Sequence, residues 1–252
     1  MKGGEGLSNR KKRLQAGALV LAVLALATLP YRPWEGLDAA QAVLGESTIP
    51  DGPYVALTFD DGPRASTTTT LLDGLSQRGI HATFFVIGEN VEGNELLLQR
   101  MEGEGHQVGL HTYHHKSLAE LNASDFCAEV DELRATLTAL LGRENFMLRP
   151  PYGMMNAATK DRAAAPIILW SVDPEDWSDH NTARQVSAIL DDVQDGDIIL
   201  LHDIYPASVE TALQVVDALM AKGFYFVTVE QLFAIRGQTP ENGKVYRRLP
   251  PE

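Results

Sequence analysis

Between Tyr54 and Gly237 the chain alternates two hydrophobic periods. Short apolar or β-branched runs recur as YVALTF, HATFFVIG, HQVGLHT, NFMLRP, IILWSVD, GDIILLHD and FYFVTV. Runs apolar at successive positions mark strands covered on both faces, the habit of parallel sheets. Between them stand segments with helical spacing: STTTTLLDGLSQRG, NELLLQRMEGEG, SDFCAEVDELRATLTALLG, NAATKDRAAA, TARQVSAILDDVQ, SVETALQVVDALMAKG and, last, VEQLFAIRG. Start and stop signals agree with them. Ser124 precedes Asp125 and Phe126 as a cap, and Gly79, Gly142 and Gly223 stand where helices close. About seven β/α units in series predict an α/β fold, a closed or nearly closed (β/α) barrel rather than an open sheet.

The ends of the chain read differently. A basic cluster, Arg10 to Arg13, is followed by an uncharged apolar stretch from Ala16 to Leu29. That stretch is shorter than the roughly 20 residues of a full membrane span and has the build of a secretory signal. Ala25-Leu26-Ala27 and Ala40-Gln41-Ala42 both have the small-x-small form that a signal peptidase cuts. Residues 1–30 are therefore read as a signal peptide or a single membrane anchor, 31–53 as a linker, 54–237 as the folded domain and 238–252, with three prolines, as a tail. In either case the folded body is exported. The chain has one cysteine, so no internal disulfide forms; Cys127, in an amphipathic helix, is read as a small buried hydrophobe.

Charge narrows the partners. The formal net charge is -13. Six of the 21 basic residues but three of the 34 acidic ones lie before Val43, leaving 15 and 31 beyond it, a net of -16. A body this acidic repels phosphate backbones, which excludes nucleic acid as a partner. A neutral or cationic ligand suits it, and nothing in the chain implies a protein partner.

Polar residues gather at the ends of the predicted strands: Asp60-Asp61, His111 with His115, Arg149-Pro150-Pro151-Tyr152, Asp173 with Asp176-Trp177, and His202-Asp203. In a β/α barrel all strand C-termini open on one face, which carries the chemistry. Two imidazoles at i and i+4 lie on one side of a helical turn and grip a divalent metal. With one carboxylate they make a three-ligand site with an open position. One aspartate of the Asp60-Asp61 pair supplies that carboxylate and the other is free to act as base, with Arg149 as the cation that holds the pair ionised. His114 points elsewhere; His81, His106 and His180 are read as packing, turn and loop residues.

TFDDGP, HTYHH, RPPYG, DPEDW and LLH occur in this order. Over Tyr54 to Gly237 the sequence resembles the polysaccharide deacetylases of carbohydrate esterase family 4, the group with the nodulation-type deacetylase homology domain. The resemblance implies a distorted (β/α) barrel and hydrolysis of N- or O-acetyl groups on an acetylated polysaccharide, with a divalent metal, Zn2+ first and Co2+, Ni2+ or Mn2+ as alternatives. It implies Asp60 as base, Asp61, His111 and His115 as metal ligands, Arg149 as holder of the base, and His202 as acid supported by Asp176 or Asp173. Pro150 and Tyr152 belong to the substrate loop, whose Tyr152 N–H binds the oxyanion; Trp177 lines the site and Leu200 forms the acetyl pocket. The flavour of WSVDPEDW and DGDIILLHDIYP is most like peptidoglycan N-acetylglucosamine deacetylases. Chitin-oligomer or xylan deacetylation, a small-molecule C–N amidohydrolase and an inactive glycan-binding member are the rivals.

Overall fold

The computed structural model describes residues 49–251; the segment read as signal or anchor, and most of the linker, lie outside the described residues. Strand β1 (Tyr54–Asp60) is buried at every position, as a strand covered on both faces must be. Helix α1 (Ala65–Arg78) closes at Gly79, whose left-handed φ of 64° lets its N–H return to Leu75 and Ser76. The chain continues through β2 (Thr83–Val86), α2 (Glu95–Gly103) and β3 (Gln107–Leu110). Next comes one long helical stretch in three parts: α3 (Ala123–Phe126), a π turn (Cys127–Asp131) and α4 (Glu132–Leu141). Then follow α5 (Ala157–Arg162), β4 (Ile167–Ile168), α6 (Thr182–Asp192) and β5 (Ile198–His202). The C-terminal part holds α7 (Pro206–Ala221), β6 (Tyr225–Val227), α8 (Val229–Ile235) and β7 (Val245–Tyr246).

All five strands of the main sheet run parallel, with β1 between β2 and β5, β3 beyond β2, and β6 against the first half of β1. Single bridges Leu110–Leu148, Leu148–Ile167 and Val172–Ile199 carry the ring from β3 round to β5. All seven strands read from sequence thus take part, but NFMLRP and IILWSVD only as short contacts. Pro150, Pro151, Pro166 and Pro174 flank those two segments, and a proline has no N–H to give a ladder. This is what makes the barrel distorted.

Alternation along the strands sorts the side chains. Val55, Leu57 and Phe59 pack outward with Leu71, Phe84, Phe126 and Leu201 beneath the helices. Tyr54 and Ala56 pack on the other face with Phe85, Ile168, Ile198 and Phe233. Asp60 shares that inner face, and the register sets it directly beside His202 of β5.

Three local readings change. The stretch read as a tail is packed over its described residues 238–251: β7 pairs with β4, Tyr246 and Leu249 are buried, and the Leu249 N–H donates to Gly196 O at 2.7 Å. Cys127 is exposed, because Phe126 and Val130 are the residues that face the core and Cys127 is turned about 100° from Phe126. The cap of α3 is Asn122, whose side chain accepts from the N–H groups of Ser124 and Asp125. Among the described residues no helix is long and apolar enough to cross a membrane.

Candidate active site and metal centre

Asp60 ends β1 with its side chain inside the barrel mouth and almost no exposure. What holds that charge is Arg149, itself fully buried. Its Nη1 donates to Asp60 Oδ1 and to Thr58 Oγ1, each at 2.8 Å. Its Nε and Nη2 donate to the carbonyls of Ile168 and Leu169 at 3.1 and 3.2 Å. The guanidinium lies 4.2 Å from the centre of the Phe85 ring, a further attraction for a buried cation. A single arginine thereby fixes the orientation of Asp60 and satisfies the unpaired carbonyls where the ring of strands is thinnest.

Asp61 turns out of the strand with φ 72°, held by Asn90 Nδ2, which donates to its carbonyl at 2.8 Å. That turn brings Asp61 Oδ1 to 3.4 Å from His111 Nε2 and 3.3 Å from His115 Nε2. The His111 Nδ1 lies 2.8 Å from the Arg149 carbonyl, an acceptor, so Nδ1 carries the proton and Nε2 keeps its lone pair. Asp61 Oδ1 is buried and has no hydrogen-bond partner. A buried carboxylate oxygen without a hydrogen-bond partner, facing two imidazole nitrogens, is costly unless a cation sits there. Ligand atoms from the three residues lie within 4.8 Å of one another, and they fit a divalent ion with two nitrogen donors and one oxygen donor. Burial pushes the Asp61 carboxyl up, but His111, His202 and His115 together bring it below its ordinary value.

The two histidines do not share a helical turn. Residues 111–115 form a loop in which Thr112 and His115 take left-handed φ values of 67° and 56°. Each such residue stores roughly 1–3 kcal/mol of strain, which the surroundings must hold. His114 does point away, onto Glu129. His106 accepts the Ala82 N–H, and the His180 ring lies 5.0 Å from that of Tyr205, tilted by 42°.

On the opposite wall, His202 Nδ1 lies 2.7 Å from Asp176 Oδ1, and its backbone N–H donates to Asp176 Oδ2 at 2.8 Å. One buried carboxylate therefore grips both ring and backbone. Asp173 is instead turned onto the Glu175 N–H at 2.8 Å. Burial alone would lower the His202 pKa, but the Asp176 bond and the charges of Asp176, Asp60 and Asp61 raise it to about 9. Behind His202, Asp203 is fully buried, accepts from the Thr68 hydroxyl and is pushed up by burial to about 7. It packs so closely under Gly62 that a Cβ there would lie 2.3 Å from its Oδ1, so the DDGP turn requires glycine.

Asp60, Asp61, His111, His115, Asp173 and His202 line one cavity of about 350 Å³. Leu200 lies on its floor, and Tyr152 and Trp177, 64% and 57% exposed, stand at its mouth. Tyr152 takes φ 60° in the turn Pro151–Gly153 and its hydroxyl reaches to 3.3 Å from His115 Nδ1. Pro150 is buried behind that turn and does not line the cavity. Trp170 does line it, although its place inside an apolar run marked it as core. The arrangement can hold a divalent cation, take a proton at Asp60 and give one at His202.

The polysaccharide deacetylase family model matches residues 48–166. The chain is 36% identical over 193 residues to the peptidoglycan-N-acetylmuramic acid deacetylase PdaC of Bacillus subtilis, covering 77% of this chain and 41% of that relative. It therefore spans about two-fifths of the length of the curated relative it matches there. It is 35% identical over 195 residues to a peptidoglycan-N-acetylglucosamine deacetylase of Bacillus cereus, covering 72% of this chain and 70% of that protein. Superposed on the T48 deacetylase with substrate, it has a TM-score of 0.73 and 41% identity, over 77% of this chain and 96% of that one.

Proposed function

The chain belongs to the polysaccharide deacetylase family, and from that premise we propose that it hydrolyses the acetyl amides of an extracellular polysaccharide, peptidoglycan N-acetylglucosamine above all. The observation that carries the reading is the orphaned Asp61 Oδ1 facing two histidine Nε2 atoms, with Asp60 and His202 in the same cavity. The peptidoglycan deacetylases among its relatives favour that glycan, and the basic cluster Arg10 to Arg13 followed by the uncharged apolar stretch Ala16 to Leu29 supports export to reach it.

Amide hydrolysis needs a strong nucleophile, a sink for negative charge and a proton for the departing amine. Asp61, His111 and His115 would hold a divalent cation, zinc by its preference for this donor set. When bound, such an ion polarises the acetyl carbonyl and makes a water acidic. Asp60 takes the proton of the attacking water; Arg149 occupies its Oδ1, which leaves Oδ2 on the side of His111. The Tyr152 N–H, turned by the left-handed residue, donates to the developing oxyanion, a contact whose loss costs about 3 kcal/mol. His202 gives its Nε2 proton to the leaving nitrogen, since Nδ1 is engaged by Asp176. Leu200 receives the acetyl methyl, and Trp177 and Tyr152 offer flat apolar faces to sugar C–H groups. A neutral N-acetyl sugar is compatible with a net charge of -13, and the product amine leaves as a cation.

Acetate release from purified peptidoglycan and from N-acetylglucosamine oligomers is the direct test. Activity on at least one is expected, lost in excess chelator and restored by Zn2+ or Co2+; chelator-resistant release, or none from either glycan, would overturn the reading. Rates on the two glycans side by side decide between wall and chitin-type substrates.

The Asp176 clamp predicts a pH dependence. With a pKa of about 9, His202 stays protonated through neutrality and the rate falls as pH rises through that value. A bound cation acts in the opposite sense and draws the limb lower. Asp176→Asn is expected to move the alkaline limb of kcat/KM acidward by about one unit or more. Superimposable profiles would remove Asp176 from this role. In the metal-free protein, the stabilisation from this raised group is complete below 6.5 and lost as pH climbs through about 9.

A further inference from the structure

The loop that carries the two ligand histidines has a second anchor. Glu129 is fully buried on the π turn between α3 and α4, and all four of its side-chain partners lie within residues 113–116. Its Oε2 accepts the backbone N–H of Tyr113 at 3.1 Å and that of His114 at 2.8 Å. Its Oε1 meets His114 Nδ1 at 3.0 Å and Lys116 Nζ at 2.8 Å. From the other side, the N–H groups of Gly88 and Glu89 donate to the carbonyls of Thr112 and Tyr113 at 3.0 and 2.9 Å. The peptide groups between His111 and His115 are thus clamped from both faces, across two left-handed residues that would otherwise relax. A π turn inserts one residue into a helix and turns the side chains that follow, and such turns recur where a side chain has to be aimed.

We propose that Glu129 is the positioning residue of the metal centre: it fixes the 112–115 loop so that His115 Nε2 meets Asp61 before any ion arrives. The inference rests on Asp61, His111 and His115 as the metal ligands, and on nothing about the substrate. Glu129 does not line the cavity; its effect passes through the loop, by two backbone N–H groups and the side chains of His114 and Lys116. A carboxylate suits the task because one oxygen can accept two adjacent N–H groups while the other meets a cation, so no acceptor is left over in the buried pocket.

The test is metal affinity in the folded full chain, measured on metal-free protein by competition with a chromophoric chelator for Zn2+ and by the Co2+ visible spectrum. Glu129→Ala is expected to weaken Zn2+ binding about 10–100-fold, the usual loss when the partner that orients a ligand is removed. Glu129→Gln, which keeps an acceptor for the two N–H groups, is expected to recover most of that loss. At saturating metal the Ala variant should regain most of its acetate release, which a missing catalytic group would not allow. A folded Glu129→Ala protein with Zn2+ affinity within about twofold of the parent would overturn the proposal, as would a Gln variant as weak as the Ala variant. Should Glu129→Ala not fold, Glu129→Asp replaces it, with its carboxylate withdrawn by one methylene. Parental affinity there overturns the proposal, and weakened affinity with an altered Co2+ spectrum upholds it. Because the readout is binding, an inactive but tightly metal-binding parent would sink the deacetylase reading and leave this one standing.

Discussion

Asp60→Asn is expected to lower kcat for acetate release by about 10²–10⁴-fold, the range of general base catalysis, while Zn2+ affinity stays near that of the parent. The two halves of the result come from one geometry. Asparagine is isosteric and its Oδ1 can still accept from Arg149 Nη1, so the fixed side of Asp60 is preserved. The opposite oxygen is the one on the cavity side, 3.6 Å from His111 Nε2, and there an amide nitrogen replaces a proton acceptor. Asp61, His111 and His115 are untouched, so the metal site remains. The contrasting variant is His115→Ala, which removes one of three donors and should lose metal and turnover together. Single-turnover acetate release at saturating Zn2+, with a parallel chelator competition, separates the two. A kcat within about tenfold of the parent in Asp60→Asn would give the base to another residue.

Much of this was legible because strand ends are where a parallel barrel exposes polar groups. An Asp pair after six buried positions and a histidine closing IILLH cannot both be core, and the register sets them side by side. Family membership was legible from five ordered motifs. What escaped the sequence depends on contacts between distant residues. The i, i+4 spacing of His111 and His115 suggested a helical turn, but the loop shape comes from Gly88, Glu89 and Glu129, none of which adjoins it in sequence. Glu129 itself reads as one more acidic residue on an amphipathic helix; only the π turn aims it inward. Asp173 and Asp176 both follow the same segment, and it is the turn through Glu175, at φ 55°, that sends Asp176 to His202. Trp170 and the last strand were hidden for a plainer reason. An apolar residue near a strand end serves core or cavity equally, and two residues suffice for β7 when their partner is as short.

Arg149→Met tests the step on which both fold and site depend. Methionine nearly matches the arginine stem in length and leaves no large void, so the change isolates charge and hydrogen bonding. It strands Asp60 as a carboxylate with 3% exposure, and it takes the donors from Thr58 Oγ1 and the carbonyls of Ile168 and Leu169. Removing one partner of a buried ion pair costs about 3–5 kcal/mol, far more than the intact pair contributes over an apolar substitute. For a domain of this size that corresponds to a fall in Tm of roughly 10 °C. The measurement belongs in excess chelator, because a bound ion stabilises the folded form by mass action and would mask the loss. The decisive comparison is the double variant Asp60→Asn/Arg149→Met, in which the stranded charge is gone. It is expected to be more stable than Arg149→Met alone by about 1–2 kcal/mol, a coupling that independent sites do not show. Additive losses, or an Arg149→Met protein within about 1 kcal/mol of the parent, would mean that the charge of Asp60 is held by something other than Arg149.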